Sequence, residues 1–180
     1  YNLWAIEGNE KVRETLSFAS VNEGMVITDD ITLFSELKLR LLNGSHSFSC
    51  AAAFLSGFEI TRDAVNDPVF GRFIQKLMQE EIVPSIPYPI EHQVKMDFAA
   101  KLFDRFRNPF IDHKWLSISL QYTSKMKMRN VPLLLRYFSL FGRVPPCMAT
   151  AFAAYLYFMK AVDHIDGKYF GRYRGEAYEI

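Results

Sequence analysis

Residues 34–55, FSELKLRLLNGSHSFSCAAAFL, constrain the fold of this chain more than any other stretch. The segment is long enough for a helix and apolar on nearly every side, a pattern typical of a helix buried all round. It also carries Lys38, Arg40, Asn43 and His46. Because an unpaired buried charge costs several kcal/mol, polar groups in such a helix must be paired, hydrogen-bonded or used in chemistry.

Length and composition indicate one ordinary folded domain. The chain has 180 residues, of which 49% are hydrophobic and 15% aromatic, enough for a full core in a single domain over residues 1–180. A net charge of +1 gives no field that would attract nucleic acid or an anionic membrane. We therefore expect small molecules or protein surfaces as partners, and neither nucleic acid nor membrane.

Neither the cysteines nor the chain start indicates secretion, a membrane or a metal. Cys50 and Cys147 lie far apart and in no metal-ligand spacing, so a reducing, cytoplasmic setting without metal is expected. Residues 144–159 form an uncharged apolar run that is shorter than the roughly 20 residues of a membrane span. No leader pattern is present, so no signal peptide is expected. Because the sequence begins at Tyr1 and not at a methionine, we expect it to be part of something longer.

The element pattern predicts a mostly α fold with short N-terminal strands. LWAIEG and GMVIT, before residue 30, are short apolar runs of strand type. Helical signals dominate afterwards, with acidic caps before two helices and prolines at 132 and 145–146 opening two more. The prolines of VPSIPYPIEH predict an irregular connection, Asn108 and Pro109 a new helix, and the glycine-rich tail from Asp166 a loop or extended end.

The polar residues of the first long helix can be grouped on one side. At about 100° per residue, Lys38, Asn43 and His46 fall inside an arc of about 140° and spread over roughly 12 Å of axis. A desolvated lysine is a usable general base, an amide can donate to an alkoxide, and a histidine can orient or relay. The alternative is structural: the lysine reaches solvent, Asn43 and His46 satisfy backbone, and Arg40 pairs with Glu36.

Three blocks of sequence resemble one family in order. KLRLLNGSH has the K-x4-N-x2-H signature of the polyol-specific long-chain dehydrogenases, the mannitol dehydrogenase family. YNLWAIEG and RFRNPFIDHKWLSISLQYTSKMKMRNVPLL resemble the blocks on either side of it. Within the family, the wording LWAIEG and NPFIDHKWLSISLQ is most similar to the branch that interconverts tagaturonate and altronate. The branches acting on fructuronate or mannitol are the alternatives.

The resemblance implies a helical C-terminal catalytic domain of a two-domain dehydrogenase. An N-terminal Rossmann-type domain, outside this sequence, would be the partner that binds NAD(H), which fits the absence of any GxGxxG here. Lys38 would be the catalytic acid/base, Asn43 an oxyanion or substrate contact and His46 a substrate-orienting group, with no metal. The isolated 180-residue chain is then expected to be inactive.

Further candidates lie in the second block. Arg105, Asn108 and His113 are candidate contacts for a hexuronate, whose carboxylate suits arginine's forked donors; the alternative is a helix cap and a surface ion pair. The basic residues of KMKMR favour a solvated or cofactor-facing edge over a phosphate or nucleic-acid site. A hypothesis of another class is a helical scaffold without chemistry, in which Lys38 would be sealed beneath aliphatic groups or paired with a buried carboxylate.

Overall fold

Helices dominate the fold, which confirms the predicted class. The structure is a computed structural model that describes residues 3–180. Its α-helices are α1 (Glu10–Thr15), α2 (Thr32–Leu37), α3 (Ser45–Leu55), α4 (Thr61–Asn66), α5 (Phe70–Lys76), α6 (Val83–Ser85), α7 (His92–Phe106), α8 (Trp115–Ile118), α9 (Tyr122–Lys125), α10 (Val131–Phe141) and α11 (Pro146–Phe158). A 3₁₀ turn spans Ser17–Val21, and π-helical segments span Lys38–Gly44, Leu77–Ile82 and Met126–Asn130.

Short strands flank the helical body at both ends. They are β1 (Trp4–Glu7), β2 (Met25–Thr28), β3 (Asp163–Ile165), β4 (Lys168–Tyr173) and β5 (Glu176–Glu179). β1 and β2, which the sequence predicts as strands, pair in parallel with Trp4 opposite Met25. Of the helices within residues 3–180, none combines the length and the apolar character that crossing a lipid bilayer requires.

One continuous helix over residues 32–55 forms the centre of the fold. α2, the first π-helical segment and α3 follow one another without a break. Asp30 accepts the Thr32 N–H at 2.8 Å at its start, and Gly57 adopts a φ of 95° just beyond its end. The sequence predicts an acidic start at Asp29 or Asp30 and an end at Gly57. The acceptor is Asp30, which lies one residue before the N-cap residue Ile31.

Burial of the central helix differs between its halves, which corrects the prediction of a helix buried all round. From Ser45 onwards seven of eleven α3 residues are buried, and α3 packs closely on α11. Lys38 in the first half is exposed, while Arg40 and Asn43 are partly buried. The small serine and alanine side chains of the second half allow neighbouring helices to pack closely against it. The first half instead lies against open cavities.

Two prolines lie inside helices, where the sequence predicts a break or a start. Pro84 belongs to a continuous helix over residues 70–85, and Pro132 to one over residues 122–141. A proline lacks an N–H and its ring collides with the carbonyl of residue i−4 in an α-helix. In both helices residue i−4 lies in a π-helical segment, whose hydrogen bonds run from i to i+5. The wider turn thus accommodates the proline, and the helix continues.

The C-terminal tail is a three-stranded antiparallel meander rather than a loop, a second correction. Its two turns, Asp166-Gly167 and Arg174-Gly175, have positive φ at both residues, the geometry of tight hairpin turns. Asp-Gly is a strong hairpin signal, so this part was readable from the sequence. Tyr178 of β5 stacks on Phe158, with ring centroids 4.4 Å apart, and fastens the meander to α11.

Candidate active site

Two adjoining cavities lie along the first half of the central helix. The first, of about 230 Å³, is lined by Leu42, Asn43, His46, Thr61, Arg105, Phe106, Ile111 and His113. The second, of about 390 Å³, is lined by Leu3, Trp4, Ala5, Ile31, Phe34, Ser35, Lys38, Leu42, Phe98, Leu102 and Arg105. Leu42 and Arg105 line both, so the two spaces meet between the central helix and the end of α7.

His46 is the most constrained polar group of the first cavity. Its ring stacks on Phe106 with centroids 4.3 Å apart and meets His113 edge-on at 5.3 Å. Its Nε2 atom is buried and has no hydrogen-bond partner within residues 3–180. Burial, followed by the nearby His113 and Arg105, lowers the pKa of His46 to about 3. His46 is therefore a neutral ring with an uncommitted nitrogen at physiological pH.

A short backbone pairing holds His113 at the cavity. The Thr61 N–H and hydroxyl both donate to the His113 backbone carbonyl, at 2.9 and 3.0 Å. The Trp115 N–H donates to the Glu59 backbone carbonyl at 3.0 Å. His113 itself is exposed, and partial burial followed by the nearby Lys125 lowers its pKa. Thr61 lines the same cavity, and no motif in the sequence indicated it.

Lys38 lies in the second cavity, apart from Asn43 and His46. Residues 38–44 are π-helical, with hydrogen bonds from i to i+5. The predicted grouping of Lys38, Asn43 and His46 on one helix side stays a prediction, since the structure distributes them over two adjoining cavities. The Lys38 side chain is exposed, which corrects the expectation of a lysine buried by its own domain. Within residues 3–180 it makes no ion pair and no hydrogen bond, so it is neither sealed nor neutralised.

Arg105 joins the two cavities, while Asn108 does not reach them. Arg105 is exposed in the last turn of α7 and has no carboxylate partner among the described residues. Asn108 accepts the Phe110 N–H at 3.0 Å, a local turn contact. The helix predicted to start at Asn108 begins only at Trp115, because this turn and the Arg62–Asp112 ion pair at 3.0 Å hold the intervening residues as a loop.

The basic residues of KMKMR differ in exposure: Lys127 is solvated, as predicted, whereas Lys125 and Arg129 are partly buried behind the first cavity. Arg129 is partly buried, donates to the Ser47 hydroxyl at 3.4 Å, and contributes to the lowered pKa of His46. Lys125 donates to the Ile118 carbonyl at 2.8 Å, and burial, followed by Arg129, lowers its pKa. A sequence alternating lysine and methionine does not show which side faces inward.

The site as a whole is cationic. Of the described residues that line the two cavities none is acidic, whereas Lys38, Arg105 and the two histidines are basic or polar. Such a lining attracts an anion and offers several donors to hydroxyl or carbonyl oxygens. The lining also contains aliphatic and aromatic side chains, which exclude water around those donors.

Comparison with known proteins places the chain in a family. Residues 30–169 match the model of the mannitol dehydrogenase C-terminal domain. Altronate oxidoreductase of Bacillus subtilis (strain 168) is 37% identical over 158 residues, covering 88% of this chain and 32% of that protein. Altronate oxidoreductase of Halalkalibacterium halodurans is 34% identical over 183 residues, covering 100% of this chain and 35% of that protein. The chain thus spans about a third of these relatives' length.

Solved structures share the architecture. Mannitol 2-dehydrogenase of Pseudomonas fluorescens, in a ternary complex with NAD and D-mannitol, matches with a TM-score of 0.64 and 31% identity. The match covers 78% of this chain and 28% of that one. Substrate-free D-sorbitol dehydrogenase matches with the same TM-score of 0.64 at 22% identity, a likeness of fold alone.

Proposed function

This chain belongs to the mannitol dehydrogenase C-terminal domain family, and from that premise we propose that it binds and converts the sugar-acid substrate of an NAD-dependent dehydrogenase. The proposed reaction interconverts tagaturonate and altronate. The altronate oxidoreductases at 34–37% identity support this branch over the branches that act on fructuronate or mannitol.

The observation that carries the proposal is the cationic lining of the cavities. A hexuronate has a carboxylate at one end and a ketone to be reduced, whereas mannitol and fructose have no charge. Arg105 lies where the two cavities meet and has no acidic partner among the described residues. A forked guanidinium without a partner suits a substrate carboxylate, because charge-assisted bidentate hydrogen bonds are among the strongest in proteins.

The proton chemistry is proposed for Lys38. In reduction its ammonium gives a proton to the ketone oxygen as a hydride reaches the carbon; in oxidation the neutral amine takes the hydroxyl proton. NADH supplies that hydride when it is bound. Asn43 is proposed to donate to the developing alkoxide from the first cavity, and neutral His46 to hydrogen-bond a substrate hydroxyl through Nε2. The lysine thus takes the part that a metal takes in other alcohol dehydrogenases.

The dinucleotide is proposed to bind mainly outside this chain. The chain has no glycine-rich phosphate loop and covers about a third of the altronate oxidoreductases. We propose that a Rossmann-type domain of the longer protein closes over the face that exposes Lys38 and supplies the desolvation that residues 3–180 do not. On this proposal the isolated chain is inactive, because hydride transfer needs both parts.

The scaffold hypothesis is less well supported. It requires Lys38 to be sealed under aliphatic side chains or paired with a buried carboxylate, and Lys38 is exposed and unpaired within residues 3–180. Two residues fit the structural alternative for the central helix: Arg40 has its Nε 3.1 Å from Glu36, and Lys38 reaches solvent. His46 does not fit it, because its buried Nε2 has no hydrogen-bond partner within residues 3–180.

A substrate panel tests the proposal on the full-length protein. Tagaturonate, fructuronate, fructose and mannitol are assayed with NADH or NAD as the direction requires. Preference for tagaturonate supports the proposal, and preference for fructuronate or fructose moves the protein to a sister branch. Absence of turnover with all four would contradict the enzymatic proposal and favour a scaffold.

A further inference from the structure

Three side chains hold the backbone around Asn43. Three consecutive carbonyls at the end of the first π-helical segment each accept a side-chain hydrogen bond: Leu42 from Ser45 at 3.2 Å, Asn43 from Ser47 at 2.9 Å and Gly44 from Asn130 at 2.9 Å. The first two donors are local to the helix. The third is 86 residues away in sequence and belongs to another π-helical segment.

The contact between these two segments runs in both directions. Arg40, in the first π-helical segment, donates to the carbonyls of Met128 and Arg129 in the other segment, both at 3.2 Å. Glu36 fixes the guanidinium from the other side, and the Arg40 and Glu36 side chains are only 12% and 20% exposed. Each segment thus supplies a side-chain donor to backbone carbonyls of its neighbour.

Asn130 is a costly residue for a purely structural role. It is fully buried, and its Oδ1 has no partner within residues 3–180 while its Nδ2 donates to Gly44. A buried acceptor without a partner is unfavourable, and an apolar residue of similar shape would avoid that cost. What only the amide supplies is the bond to Gly44, which lies between Asn43 and His46.

We propose that Asn130 is a positioning residue of the active site, which acts through the Gly44 carbonyl to hold Asn43 and His46 toward the first cavity, with Arg40 as the reciprocal half of the clamp. This role rests on the proposed function. Asn130 does not line either cavity, so it has no part in substrate contact. A misplacement of about 1 Å at a reacting group can cost about 100-fold in rate, so a fixed backbone here has a direct consequence for turnover.

Asn130→Leu in the full-length protein keeps the branched shape of the side chain, adds some volume and removes the donor. We expect kcat with tagaturonate to fall by roughly 10- to 100-fold, with the KM for NADH unchanged. Arg40→Met, which removes the reciprocal donors and keeps the aliphatic stem, is expected to lower kcat in the same direction. Tyr178→Phe is the matched control: it removes the buried hydrogen bond from Tyr178 to the Phe158 carbonyl, 2.8 Å long, in the C-terminal meander, and should leave kcat unchanged.

A second readout does not need turnover. Histidine resonances followed by NMR should show a neutral His46 from pH 8 to 5 in the wild type, and in Asn130→Leu a changed resonance whose pKa rises toward the ordinary value as the ring loses its buried position. An unchanged His46 titration together with wild-type kcat overturns the positioning role. Failure of the proposed function looks different, since the wild type is then inactive while the His46 resonance still responds to Asn130→Leu.

Discussion

Glu81 in the helical core and the polar groups at the cavities differ in whether the fold supplies their hydrogen-bond or ion-pair partners. In the core, Glu81 is 3% exposed, and its two oxygens accept the N–H groups of Cys147 and Met148, both at 2.7 Å, at the start of α11. At the cavities, Lys38 and Arg105 have no acidic partner within residues 3–180, and His46 has an uncommitted nitrogen. A satisfied buried charge stabilises a fold, whereas an unsatisfied group beside a cavity is available to a ligand. Glu81 is therefore satisfied by partners within the fold, whereas Lys38, Arg105 and His46 are left available to a ligand.

The largest expected effect is on the cavity side. Lys38→Ala in the full-length protein should lower turnover of tagaturonate by roughly 10²- to 10⁴-fold, the usual contribution of a positioned acid or base. Thermal unfolding should change little, because the side chain is exposed and unpaired within the described residues. Lys127→Ala, at an exposed lysine that lines neither cavity, is the matched control. An active Lys38→Ala protein would remove the proposed mechanism.

Arg105→Met separates recognition of charge from chemistry. Loss of a charged hydrogen-bond partner is worth about 1.5–3 kcal/mol, so the KM for tagaturonate should rise by roughly 10- to 100-fold. Uncharged fructose, if it is turned over, should be affected much less. Arg107→Met is the control, since Arg107 lies over the Phe103 ring at 4.7 Å and lines neither cavity. Equal effects on charged and uncharged substrates would contradict the assignment of Arg105 to the carboxylate.

On the core side, Glu81→Gln should lower stability and spare catalysis. The substitution replaces one carboxylate oxygen by an NH₂ group that cannot accept a hydrogen bond, and it removes the negative charge at the start of α11. We therefore expect the free energy of unfolding to fall by about 1.5–3 kcal/mol. Urea unfolding measures it, with Glu80→Gln, at the exposed neighbour, as the control. A kcat that falls as far as in Lys38→Ala would show that the division between core and cavity is not valid.

The smallest expected effect concerns pH. The unfolded chain carries His46 with an ordinary pKa near 6.5, and the folded protein lowers that pKa to about 3. The folded state then binds fewer protons, so stability is complete above about pH 6.5 and is lost as pH falls toward 3. When the pH falls from 7.5 to 5, the free energy of unfolding of the wild type should fall by up to about 2 kcal/mol more than that of His46→Asn. Urea unfolding at the two pH values measures this difference. If the wild type and His46→Asn lose the same free energy of unfolding, His46 lies in water rather than in a buried ring stack.

Much of the fold could be predicted because it depends on local signals. Asp30 and Gly57 bound the central helix, and the strand-type runs near the start do form β1 and β2. The helices that continue through Pro84 and Pro132 could not be predicted, because a π-helical turn depends on packing around it. The glycine-rich polar composition of the tail predicts a loop or an extended end, whereas the Asp166-Gly167 dipeptide predicts the hairpin that forms.

Most of the residues predicted for the candidate site do line the cavities, but their distribution between the two cavities could not be predicted. Asn43, His46, Arg105 and His113 do line one cavity, but Lys38 lies in the adjoining one and Asn108 is used in a turn. Thr61 reaches the first cavity from a distant segment and carries no motif. Arg129 belongs to KMKMR, but its contact with Ser47 behind His46 could not be predicted from that motif. Which cavity a residue lines also depends on α7 and the loop before Trp115, which pack against the central helix and lie far from it in sequence.

The sequence by itself determined that this chain is helical, where its central helix starts and ends, and which polar residues required an explanation. Those properties follow from spacing, capping and hydrophobicity, which act over a few residues. Only the tertiary structure decided that Lys38 faces open space while Glu81 is buried and doubly paired. Whether a polar group is satisfied depends on partners that folding brings from 66 to 89 residues away, such as Cys147 for Glu81 and Arg129 for Arg40. No local pattern carries that information, because desolvation and hydrogen bonding are set by the neighbours in space.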